Sequence, residues 1–93
     1  MTVFAIMSTS LKLELEAAVN EFYPDTKSYR VSDMTWFVTD KGTTAKEISE
    51  KLGIKKDGIR GVVIIPVKSS YYGVASSTLW EWLKAAIEES SDG

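Results

Sequence analysis

The run Val3-Phe4-Ala5-Ile6-Met7 is apolar at every position. Successive side chains of a β-strand point to opposite faces. As a strand, Thr2 to Ser8 sets Val3, Ala5 and Met7 on one face and Phe4 and Ile6 on the other. Both faces then need cover, so the strand belongs in the interior of a sheet with layers on each side. The rest of the chain has to supply those layers.

The periodicity after Ser8 changes from two to 3.6. At 100° per residue, Leu11, Leu15, Ala18, Val19 and Phe22 fall on one arc about 100° wide, which predicts a helix from Leu11 to Phe22. Leu13 lies on the opposite side. Tyr23-Pro24-Asp25 ends the helix. Two strand-like runs follow, Lys27 to Val31 and Met34 to Thr39, with Ser32 and Asp33 as turn residues. The second run alternates Met34, Trp36 and Val38 with Thr35, Phe37 and Thr39, a β-branched and aromatic content that suits a strand. Asp40-Lys41-Gly42 closes it.

A second helix is expected from Thr44. Thr44 and Glu47 have capping-box spacing, Ala45, Ile48 and Leu52 form an apolar stripe, and Gly53 stands where a C′ glycine belongs. The run Gly61 to Val67 reads as a strand. Pro66 has no N–H for a ladder, so this strand belongs at an edge. A third helix carries Thr78 and Glu81 at capping-box spacing, with Leu79, Trp80, Trp82, Leu83, Ala86 and Ile87 over about 160°. That arc is wider than one flat contact needs.

The order is strand, helix, two strands, helix, strand, with an added helix. It predicts an α+β chain: a ferredoxin-like βαββαβ sandwich with an additional C-terminal helix. In that arrangement the first and third strands are central and the second and fourth are edges. Ninety-three residues suffice for one domain, expected over 1–89, with 90–93 as a disordered tail.

Composition narrows the chemistry. The chain has no His and no Cys. Disulfides, thiolate metal sites, Cys nucleophiles, His general bases and Ser-His-Asp triads are all excluded. No cofactor motif is present, and no catalytic or metal-binding residue is assigned. The first apolar run has no basic flank and is too short for a signal sequence, and no stretch approaches a membrane span. A soluble, cytoplasmic, unanchored protein is expected.

The net charge of −2 is unevenly spread. Residues 41–68 carry seven basic side chains (Lys41, Lys46, Lys51, Lys55, Lys56, Arg60, Lys68) against three acidic ones. The flanking thirds are acidic. Lys41, Lys46, Lys55, Lys56 and Arg60 are therefore candidates for contacting nucleic-acid phosphates from one side of a helix and its loops. The alternative is an ordinary solvated helix face.

Four further features have paired readings. Ser8, Thr9 and Ser10 precede a helix and would cap it or hold a phosphate. Phe4, Trp36, Phe37 and Tyr29 would form core or a base-stacking platform, although no basic-Gly-aromatic run accompanies them. Tyr71 and Tyr72, in the loop 69–73, would be a contact loop or a turn. Asp33 and Asp40 bracket one strand about 23 Å apart, too far to share a metal ion.

The strands Val3 to Met7, Thr35-Trp36-Phe37-Val38 and Val62 to Val67 resemble a group of small ferredoxin-fold proteins termed SinR-like. So do Thr44-Ala45-x-Glu47-Ile48-x-x-x-Leu52 and Leu79-x-x-Trp82-Leu83. That group is related in fold to the small CRISPR-associated endoribonucleases and to VapD-type toxins. The resemblance implies a homodimer built on the sheet or its edge. The nuclease branch implies a metal-binding Asp at the end of the first strand, where this chain has Ser8-Thr9-Ser10. The expectation is a small non-enzymatic homodimeric domain acting through protein or nucleic-acid contact. The alternatives are a divergent metal-dependent endoribonuclease and an RNA-binding module using residues 41–68.

Overall fold

Four strands and three helices follow one another as β1 (Thr2–Ser8), α1 (Leu13–Phe22), β2 (Ser28–Ser32), β3 (Thr35–Asp40), α2 (Ala45–Leu52), β4 (Val62–Val67) and α3 (Ser77–Ser91). This is a computed structural model, and it describes residues 2–41, 43–67 and 77–91. The strands form one sheet in the order β2-β3-β1-β4, and all neighbours are antiparallel. The chain is thus α+β, with a four-stranded antiparallel sheet. β1, apolar on both faces, lies in its interior, and β4, with Pro66, lies at an edge.

The register aligns Phe4 with Val38 and Pro66, and Ile6 with Trp36 and Ile64. These side chains share the face toward α1 and α2, where Phe4, Ile6, Trp36 and Val38 form the larger core with Leu15, Val19, Tyr23, Ile48 and Leu52, Ile64 packs against it half-buried, and Pro66 is exposed. Arg30 closes this layer at the β2 edge. Its guanidinium sits 5.3 Å from the centre of the Trp36 ring and bonds Glu16 of α1 at 2.8 Å. The opposite face carries Val3, Phe37 and Val67, and α3 packs on it through Leu83, Ala86 and Trp82. Trp82 stacks on Phe37 with centroids 6.3 Å apart and lies 6.0 Å from the Tyr29 ring. The four aromatic side chains considered as a base-stacking platform are therefore divided between two packed layers. Phe4 and Trp36 lie under α1 and α2, and Phe37 and Tyr29 lie against α3.

The helix starts differ from expectation. α1 begins at Leu13, not Leu11, and its N-cap residue, Lys12, makes no side-chain cap. Ser8 to Ser10 bond elsewhere: the Ser8 hydroxyl donates to the Ser10 carbonyl and the Thr9 hydroxyl to the Gly61 carbonyl. With the helix starting later, Leu11 is exposed, and Phe22 at the far end is exposed as well. Leu13 is solvent-facing, as its position in the periodicity requires. α2 starts as expected: the Thr44 hydroxyl accepts from the Glu47 N–H at 3.2 Å, and Gly53 ends it in the left-handed region at φ 81°. The Glu47 carboxylate accepts from the Thr44 hydroxyl itself, so the box closes on the side chain. In α3, Thr78 lies inside the helix, and its hydroxyl shares a 2.9 Å hydrogen bond with the Tyr29 hydroxyl. α3 also runs to Ser91, into the segment expected as a tail.

Candidate contact surface

The two faces of the sheet are covered unequally. On the α1/α2 face, the strand side chains Phe4, Ile6, Trp36 and Val38 are all buried. On the other face α3 packs against β1 and β2. Beyond it, the pairs Met7–Val63 and Ala5–Ile65 continue the same apolar face toward the β4 edge. There Met7 is 37%, Val63 52% and Ile65 45% exposed. A helix of about 10 Å diameter does not span four strands spaced about 4.8 Å apart. The uncovered strip is a geometric result of where α3 lies. Hydrophobic side chains scattered singly over a surface are ordinary, but adjacent ones on one sheet face are not.

The outer edge of β4 adjoins this strip. Among the described residues no strand pairs with it. Val62–Val67 has no charged side chain. Edge strands commonly carry a charge or a proline that blocks further pairing, and here only Pro66 does so.

The basic candidates separate into two groups. Asp40 is level with Thr2 and Val62 with Ser8, so Lys41 and Arg60 flank opposite ends of the sheet, about 20 Å apart. Lys46 lies in the first turn of α2, while Lys55 and Lys56 follow its C-terminus. The loop carrying them folds back through an Ile54–Ile59 bridge and a 3.0 Å bond from the Lys55 N–H to the Ile59 carbonyl. It delivers Arg60 to the end of the sheet where Thr9 and Lys12 lie. A Cβ on Gly61 would come 2.6 Å from the Thr9 hydroxyl and 3.6 Å from the Lys12 ammonium. Lys12 thus joins Arg60 at that end of the sheet, while Lys55 and Lys56 lie in the loop between α2 and Arg60. No ion pair engages these four among the described residues, although Asp57 shares their loop. Lys12 lies outside the basic third of the sequence, and only the long-range contact between Gly61 and Thr9 brings it in.

Lys51 has a different role. Its ammonium bonds Asp40 at 3.0 Å and lies 5.5 Å from the Tyr23 ring centre. Asp40 also accepts from the buried Tyr23 hydroxyl at 2.5 Å and from the Lys41 N–H at 2.7 Å. Burial pushes the Asp40 carboxyl up, but the Tyr23, Lys51 and Lys41 donors together hold it below the ordinary value. Burial first, and then the bond to Asp40 and its charge, raise the Tyr23 hydroxyl. With three donors on one carboxylate, this is a clamp joining the end of α1, the end of β3 and the last turn of α2. Asp33 is engaged separately, 3.7 Å from Arg30. Read one residue at a time, Asp40 is a strand-end turn residue, and nothing local pairs it with Tyr23 or Lys51.

Among the described residues there is no group of three or more acidic side chains able to hold a metal ion. A shallow cavity of about 210 Å³ lies between α3 and the sheet, lined by Thr26, Thr39, Trp82, Ala85 and Ala86. It is smaller than the pockets of about 300–1,000 Å³ that enclose organic ligands. Tyr71 and Tyr72 lie outside the described residues. No helix among the described residues is long and apolar enough to cross a membrane. Comparison with protein-family models and with curated proteins finds no match to this chain.

Proposed function

We propose that this chain is a non-enzymatic contact domain of ferredoxin-like architecture with an added C-terminal helix, working through protein contact at the uncovered β1–β4 strip. The observation that carries the reading is the adjacent exposure of Met7, Val63 and Ile65 on a sheet face whose other half is sealed by α3. The strand order, with β1 and β3 inside and helices on both faces, supports the ferredoxin-like part, which the SinR-like resemblance also implies. The non-enzymatic part is supported by the lack of His and Cys and by the engagement of Asp40 with three donors.

The test joins two measurements. RNA incubated with the pure chain and Mg²⁺ stays intact. Cleavage that EDTA abolishes, and that follows the protein through purification, would overturn the non-enzymatic part in favour of a divergent endoribonuclease. Val63→Lys with Ile65→Lys leaves the fold and thermal midpoint within the range of ordinary surface changes, about 0.5 kcal/mol, and reduces binding of an apolar fluorescent dye. Unchanged dye binding would remove the strip as the contact surface.

A second reading is supported by the basic side chains around the α2–β4 loop. Lys12 and Arg60 at one end of the sheet, with Lys55 and Lys56 in the loop that leads to Arg60, supply positive charge for a nucleic-acid backbone. Binding to single-stranded RNA at about 50 mM salt that survives Lys55→Glu with Lys56→Glu would exclude it.

A further inference from the structure

We infer that the end of the sheet where β1 finishes rests on an anionic lipid surface, with Leu11 and Leu13 entering the headgroup layer and Lys12 and Arg60 facing the lipid phosphates. The inference goes beyond the contact-surface reading and does not depend on it.

Exposed apolar side chains are unevenly placed along the strands. Among the described residues eight large hydrophobic side chains are exposed, and six of them lie at this one end. Met7 and Val63 are paired there, at the end of β1 and the start of β4. Met34 follows the β2–β3 turn, and its carbonyl accepts from the Ser8 N–H at 2.8 Å. Val31 precedes Ser32, which is level with Thr35 and so with Met7. Leu11 and Leu13 come just after Thr9, whose N–H donates to the Gly61 carbonyl at 2.9 Å. Only Phe22, at the far end of α1, and Ile65, in mid-strand, lie elsewhere. Single exposed apolar side chains spread over a surface are ordinary, whereas a gathering at one end marks a contact.

Leu11 and Leu13 project furthest, at 60% and 72% exposed. Leu13 is the first residue of α1 and lies about 200° around the helix from the buried Leu15. Side chains this exposed do not line a groove. They stand out from a loop and a helix start, and they need a medium to enter. Lys12 stands between them. Arg60 is brought alongside by Gly61, where a Cβ would lie 3.6 Å from the Lys12 ammonium. Neither cation forms an ion pair among the described residues.

Apolar tips beside cations suit a bilayer interface. The tips reach the boundary between headgroups and acyl chains, the lysine stem lies along it, and the charges meet anionic lipid. A nucleic-acid backbone would use the cations and leave both leucines in water. Acidic side chains near this end limit its positive charge. Arg30 engages Glu16 at 2.8 Å and Asp33 at 3.7 Å, while Glu14 and Asp57 stand without an ion pair among the described residues. The contact therefore needs leucines and cations together, and its attachment is reversible.

The test mixes the full chain with vesicles of phosphatidylcholine alone or with about 30% phosphatidylserine, and reads binding by co-sedimentation. Binding to the anionic vesicles is expected to exceed binding to the neutral ones more than about tenfold at about 50 mM salt, and to fall at about 500 mM. Leu11→Ser with Leu13→Ser is expected to reduce it more than about tenfold with unchanged circular dichroism. Lys12→Glu with Arg60→Glu is expected to bring it down to the level of the neutral vesicles. The chain has no Cys, so one introduced thiol reports orientation. A polarity-sensitive dye on Ser10→Cys is expected to shift to the blue on binding, and the same dye on Asp25→Cys, beyond the far end of α1, to stay unshifted. Ile65→Lys, on the strip but away from this end, is expected to bind as the parent does. No binding to the anionic vesicles at millimolar lipid would overturn the inference, as would binding that survives the two serines. Loss of binding in Ile65→Lys, or a blue shift at Asp25→Cys, would overturn the placement of the contact at this end.

Discussion

Tyr23, Asp40 and Lys51 belong to three different elements, and their shared bonds make the pH dependence of stability specific. The Asp40 carboxyl sits below its ordinary value of 3.8 in the folded chain. Its contribution is fully present above the unfolded value and is lost as pH falls through the folded one. Tyr23 is shifted the other way, so its contribution is present below the unfolded value near 10.0 and is lost as pH rises beyond it. In urea unfolding, Asp40→Asn should cost about 2 kcal/mol at pH 7 and flatten the loss of stability below about pH 4. Tyr23→Phe should cost about 1–2 kcal/mol and flatten the loss above about pH 10. Slopes identical to the parent's would show that the clamp has no energetic weight. Gly61 provides a steric test. Its φ of 71° and the 2.6 Å approach of a Cβ to Thr9 Oγ1 penalise any side chain, whereas Gly53 at φ 81° has open space around it. Gly61→Ala should therefore cost more than Gly53→Ala, for which about 1 kcal/mol is expected. Adding Thr9→Ala should recover part of the difference, because the two sites share one contact.

At the scale of elements, α2 and α3 are held in different ways. α2 has eight residues, too few to be stable alone. It depends on the Thr44 and Gly53 caps and on burial of Ile48 and Leu52. α3 has fifteen residues and lies on the sheet through Trp82, Leu83 and Ala86. It is the layer that makes one face of β1 a buried surface. Trp82→Ala removes the stacking on Phe37 and the contact with Tyr29. It should cost about 2–4 kcal/mol and raise hydrogen exchange across residues 77–91 and at Val3, while the α1/α2 layer keeps its protection. Uniform acceleration over the whole chain would instead mean that α3 and the larger core unfold as one unit.

For the whole molecule, the consequence is an asymmetry of both cover and charge. One sheet face packs under two helices and the other is covered by α3 over only part of its width, so the exposed apolar strip lies beside the β4 edge, with which no strand pairs among the described residues. Charge is asymmetric along the strands instead. Lys12 and Arg60 lie at one end, with Lys55 and Lys56 in the loop leading to Arg60, and Lys41 lies at the other end. If RNA binds, four phosphate contacts from Lys12, Lys55, Lys56 and Arg60 predict a slope of log affinity against log salt near −3. Lys55→Glu with Lys56→Glu should reduce that slope, while Lys41→Glu with Lys46→Glu should change it much less. Equal effects from the two pairs would mean that the basic third of the chain acts as diffuse charge and not as a site.

Sequence periodicity by itself determined the elements and the layer each strand needs. The apolar run of β1 marks a strand with a helix layer on each face, Pro66 marks the edge, and Thr44 and Gly53 bound α2, each a signal carried within a few residues. The start of α1 was not legible, because the hydroxyls of Ser8 and Thr9, placed where they would cap the helix, bond to Ser10 and across the fold to Gly61. The grouping of Lys12 with Arg60, the separation of Lys41 from both, and the Tyr23-Asp40-Lys51 clamp were likewise beyond local pattern. Each depends on contacts between segments far apart in the chain. The exposure of Met7, Val63 and Ile65 was decided at the same level. Alternation assigns these residues to a face, but only the path of α3 across the sheet determines which part of that face stays open.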